Sequence, residues 1–134
     1  MKPLFRFMTL WGLLLCFPDF AYSAEHFVYS VYKGVELGNP GENDPKDYYV
    51  NMGSAQGLQE GAVLEVIRRT PTYDLTNQKL YKDITFPIAH LKVIHVENAA
   101  AVARLDKMLP EDQTPVISPR AVMVGDLVRI NGTE

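Results

Sequence analysis

Gly53-Ser54-Ala55-Gln56-Gly57-Leu58-Gln59-Glu60-Gly61 runs directly into Ala62-Val63-Leu64-Glu65-Val66-Ile67, and the way this stretch is read decides the fold. Three glycines spaced four apart supply backbone freedom where a chain must turn sharply or pass close to another segment. The run after them is rich in β-branched residues, so Val63 to Ile67 predicts a strand. Two phosphate-binding readings fall on the same residues. A Walker loop needs Lys and Ser or Thr after its last glycine, where this chain has Ala62-Val63, and a dinucleotide fingerprint opens a helix where this chain opens a strand. What is left is a single tight coil at a corner, feeding a strand.

The same grammar returns near the end, in Ala121-Val122-Met123-Val124-Gly125-Asp126-Leu127-Val128-Arg129-Ile130. Aligning Gly61 with Gly125 sets Leu58 against Val122, Val63-Leu64 against Leu127-Val128, and Val66 against Ile130. An apolar residue, two spacers, a glycine and a strand recur, which suits a small barrel whose closure needs sharp corners. Working outward, Phe27-Val28-Tyr29-Ser30-Val31-Tyr32 and Tyr48-Tyr49-Val50-Asn51-Met52 predict two further strands. Between them residues 34–47 concentrate Gly, Pro, Asn and Asp into a long exposed loop. Residues 70–83 predict an extended connection with a hairpin tip around Thr76-Asn77. Residues 88–96 and 100–106 predict a hairpin, the second arm supported by the alternation of Ala101, Ala103 and Leu105 with Val102, Arg104 and Asp106. Its alanines also permit a helix over 98–107. Residues 109–119, with Pro110, Pro115 and Pro119, predict a second loop. The fold class is all-β, a small barrel of about five or six strands with long loops, and the chain divides into 1–23, 24–47 and the barrel domain 48–131.

Residues 1–23 read as an export signal. Lys2 and Arg6 precede an uncharged apolar run from Phe7 to Phe17, too short to span a bilayer, and Ala21-Tyr22-Ser23 offers the small residues at which cleavage leaves Ala24 first. Leu15 before Cys16 argues against a lipoprotein. Cleavage removes the single cysteine, so the expected mature chain forms no disulfide. It also removes two of 13 basic and one of 16 acidic residues, which leaves a net charge of −4. That balance excludes nucleic-acid binding through bulk charge, and Arg68-Arg69 on a strand point to opposite faces.

Candidate chemistry is sparse. His90 and His95, five apart on an expected strand, are read as facing opposite sides, so no metal centre is expected, and neither is a cofactor. Ser30, Ser54 and Ser118 lack a nucleophile elbow or partner spacing, and the carboxylate pairs Asp44/Asp47 and Glu111/Asp112 lie in solvated loops. No catalytic residue is assigned. Tyrosines cluster instead, and Arg69, Tyr73 and Tyr81 on the middle connection combine aromatic anchors with charge, the composition of protein interfaces. They are the expected partner-binding residues; Gly53, Gly57, Gly61 and Gly125 are the expected structural turns.

Val50 to Ser54, Gly57-Leu58, Gly61 to Val66, Ile88 to Val93 and Val124 to Val128 together resemble the C-terminal domain of the flagellar assembly protein T family. Similar glycine grammar occurs in β-domains of the rod-shape protein C family and in barrels of peptidoglycan-binding proteins. The resemblance implies an SH3-like β-barrel in the periplasm, docking on an envelope protein assembly such as the ring around the flagellar motor, with no stable membrane insertion after the signal is removed. The alternative expectation is a small envelope hydrolase or ligand-carrying barrel acting on cell-wall material.

Overall fold

The computed structural model describes residues 25–34 and 45–131. The expected export signal with Cys16, and most of the loop expected at 34–47, lie outside the described residues. Among the described residues six strands form one antiparallel sheet: β1 (Val28–Lys33), β2 (Lys46–Val50), β3 (Val63–Asp74), β4 (Lys79–Val96), β5 (Ala101–Met108) and β6 (Leu127–Ile130). Their order is β1-β2-β5-β4-β3-β6. The sheet curls until its edge strands meet. Phe27 bridges Leu127, and Val128 N donates to His26 O at 2.9 Å. The chain is a small all-β barrel.

Alternation along each strand fills the interior. Val28, Tyr48, Val50, Leu64, Val66, Leu91, Val93, Ala101, Ala103 and Val128 are all buried there, each on the inward half of a period-2 pattern. β1 belongs to this barrel, so the division at 47/48 does not separate it from the rest. Val28 is fully buried and pairs with Val50 across β2. The stretch beginning at Ala101 is a strand: cross-strand partners override the helix propensity of its alanines, because Ala101 pairs with Val50 and Val96, and Ala103 with Tyr48 and Val93.

The repeated glycine grammar corresponds to a repeated piece of structure. Ala62 N donates to Gln59 O at 3.1 Å, and Asp126 N to Met123 O at 3.2 Å. The third residue of each turn is a glycine at positive φ, +83° at Gly61 and +95° at Gly125, as a type II turn requires. Each turn then locks onto a buried valine through two bonds. Gly61 N donates to Val93 O and Val93 N to Ala62 O; Gly125 N donates to Val28 O and Val28 N to Asp126 O. Leu58 and Val122, three residues before each glycine, are both buried. Gly61→Val and Gly125→Val should therefore each lower stability by about 1–3 kcal/mol. An added Cβ meets nothing within 4 Å at either site, so the loss is one of backbone conformation. Urea midpoints that stay in place for both variants would contradict the turn assignment.

Candidate functional site

Two strands outrun their neighbours. β6 pairs with β3 only over 64–67, and β5 pairs with β4 only from Ala89 onward. Beyond those limits, among the described residues, β3 and β4 pair only with each other, down to Asp74 opposite Lys79. The expected connection over 70–83 is thus a two-stranded arm standing off the barrel. Its turn occupies 75–78. Asp74 organises that turn: its carboxylate accepts from Thr76 N at 2.9 Å, Asn77 N at 3.2 Å and Asn77 Nδ2 at 2.6 Å. The bonds from Asn77 hold this carboxyl below the usual carboxylate range.

The arm is apolar as well as exposed. Leu75, Tyr81, Leu80 and Tyr73 are 82%, 78%, 72% and 53% exposed, and Ile84 is exposed beside them. Tyr73 pairs with Leu80, while a register shift sets Tyr81 and Lys82 together opposite Thr72. By alternation Arg69 and Tyr73 share one face of the arm, and Tyr81 stands on the other with Thr70 and Ile84. The three residues singled out from sequence therefore all lie on the arm without converging on one face. Arg69, near its base, donates to Glu25 Oε1. Leu75, Leu80 and Ile84 belong to the same surface and were not legible as such, since apolar residues scattered among Pro71, Asn77 and Gln78 read as ordinary loop composition.

Arg68 and Arg69 do point to opposite faces, with different fates. Arg68 is buried at the root of the arm. Its Nε and Nη2 donate to Asp126 Oδ1 and Oδ2 at 2.9 and 2.8 Å, its Nη1 to Pro119 O at 2.8 Å, and its Nη2 also to Ala121 O at 2.6 Å. Asp126 Oδ2 further accepts from Met123 N at 2.9 Å. This network ties residues 119–126 to β3.

The segment so held forms one wall of a cleft of about 350 Å³ at the end of the barrel. Lys46 and Tyr48 on β2, Arg104, Leu105 and Met108 on β5, and Arg120 line it, with Val122 behind. The histidine reading needs correction. His90 lies opposite Glu65 and His95 opposite Val102, and the register shift between Val93 and His95 returns His95 to the outer face that His90 occupies. His95 Nε2 contacts Glu97 Oε1 at 2.8 Å. Among the described residues no three His, Cys, Asp or Glu side chains gather as a metal-ligating set.

No family model, curated protein or solved structure matches the chain.

Proposed function

We propose that the chain is an exported, non-catalytic binding module of the cell envelope, in which the barrel is a rigid support and the β3–β4 arm docks on a partner protein. The observation that carries this reading is the arm. A two-stranded ribbon in water is marginal by itself, yet this one extends from the barrel with five large apolar side chains exposed. Such a patch marks an interaction surface. The edges of the arm are blunted, β3 by Pro71 and β4 by its bulge and by the charges of Lys82 and Asp83, devices that discourage strand-to-strand pairing. Docking therefore uses side chains on the two faces of the ribbon, with tyrosine as the rigid anchor. The resemblance in glycine grammar makes the ring of the flagellar motor the assembly to try first.

Replacing Arg69, Tyr73 and Tyr81 together with alanine tests the reading. The barrel's circular dichroism and thermal midpoint should remain, because none of the three contributes to the core, while co-purification from native envelope extract is lost. A triple variant that unfolds would make these residues structural. One that keeps its partner would move the interface elsewhere.

A further inference from the structure

The cleft at the end of the barrel contains a polar group that the fold does not use. Tyr48 is 3% exposed and sits on the inner face between Val31 and Ala103, where the small alanine leaves room for its ring. Among the described residues its phenol oxygen has no hydrogen-bond partner. Buried phenols normally have one. Tyr48 is one of the residues that line the cleft, and burial raises its pKa, so at neutral pH its phenol is a hydroxyl donor.

The rest of the lining divides by chemistry. Leu105, Met108 and Val122 are apolar, whereas Lys46, Arg104 and Arg120 bring positive charge. Arg104 Nε donates to Asp47 Oδ1 at 2.8 Å and Arg120 lies 3.4 Å from Glu111, so both are neutralised locally. Among the described residues Lys46 has no ion-pair partner, and it stands directly across β1–β2 from Lys33. Like charges placed directly opposite on a sheet repel, and an anion beside them removes that cost. Among the described residues this leaves one free cation and one free hydroxyl donor next to an apolar wall, a set that matches a single carboxylate carried on a hydrocarbon body. The volume falls at the lower end of small-molecule pockets, about 300–1,000 Å³, which suits one small ligand.

We infer that this cleft binds an amphiphilic monocarboxylate of medium-chain fatty-acid size, with its carboxylate held by Lys46 and the Tyr48 hydroxyl and its hydrocarbon against Leu105, Met108 and Val122. The site is independent of the arm. Titration calorimetry on the full chain, with sodium decanoate kept below its micellar concentration and decanol as the uncharged comparison, tests it. Decanoate should bind saturably and decanol about 10-fold more weakly, the worth of a charge-assisted hydrogen bond. Tyr48→Phe deletes only the unpartnered hydroxyl, so its thermal midpoint should hold or rise while decanoate affinity falls about 10-fold. Lys46→Gln should weaken decanoate and leave decanol unchanged, and the triple alanine variant of the arm should bind decanoate normally. Absence of saturable decanoate binding, equal affinity for decanoate and decanol, or undiminished decanoate affinity in both Tyr48→Phe and Lys46→Gln overturns the inference.

Discussion

Replacing Asp126 with alanine is expected to lower stability by about 3–5 kcal/mol, the largest loss of any single substitution considered for this chain. Asp126 and Arg68 are 4% and 7% exposed, and the carboxylate engages the guanidinium through two parallel bonds, the strongest geometry for such a pair. Removing the carboxylate leaves the guanidinium charge buried with only the carbonyl oxygens of Pro119 and Ala121, and leaves Met123 N without its acceptor. The penalty is mainly that of the uncompensated charge. Arg68→Lys should recover little of what Arg68→Ala loses, because a lysine ammonium cannot span the carboxylate and two carbonyls in one plane. Urea unfolding followed by circular dichroism measures both. An Asp126→Ala midpoint close to that of the unsubstituted chain would mean that the pair is solvated in solution. The same variant should open the end cleft, since Arg120, Ala121 and Val122 are held in place through this network.

Gly53→Ala should destabilise by about 3 kcal/mol or more, for a reason different from that at the positive-φ glycines. Gly53 has φ −147°, extended backbone open to any residue, so conformation alone would tolerate alanine. Space would not. A Cβ there runs into the carbonyl oxygen of Glu97 and comes within 2.6 Å of that of Asn98. Neither carbonyl can step aside cheaply, because Ser54 N donates to Glu97 O at 2.9 Å and Ala55 N to Asn98 O at 3.0 Å. These bonds fasten the coil over 54–56 to the β4–β5 turn. Comparing the urea midpoint of Gly53→Ala with that of Gly57→Ala separates close approach from conformation. At Gly57 an added Cβ meets nothing within 4 Å, and the cost comes from φ +83° alone. A Gly53→Ala loss no larger than the Gly57→Ala loss would contradict the close-approach account.

The strands that fill the barrel were legible through their β-branched and aromatic content, as in Val63 to Ile67, and burial then falls on alternate residues, Leu64 and Val66. The glycine echo was legible for a similar reason: two identical turns demand the same residue at the same place. Bulges were not, since one extra residue leaves no compositional mark, and His95 was set on the wrong face for want of the shift after Val93. β1 looked separate because the turn-formers of 34–47 resemble a boundary, although Val28 lies in the core. Arg68 and Asp126 are 58 residues apart, and in sequence a buried charge looks like a solvated one. The inference at Tyr48 starts from a phenol without a partner among the described residues, which only packing reveals. For the arm, the tyrosines drew notice through their type, while the arm's length depends on where β5 and β6 stop.

The claim that the arm is the docking element and the barrel its support is tested most directly by amide hydrogen exchange, comparing the isolated chain with the same chain in its native envelope complex. In the isolated chain, amides over 70–84 should exchange fast, as expected of a ribbon without neighbours, while those of Leu64, Val66, Leu91 and Val93 exchange only through global unfolding. In the complex the arm should gain protection and the barrel should change little. Arm amides already as protected as the barrel in the isolated chain, or new protection appearing on the barrel with the arm unchanged, would contradict it.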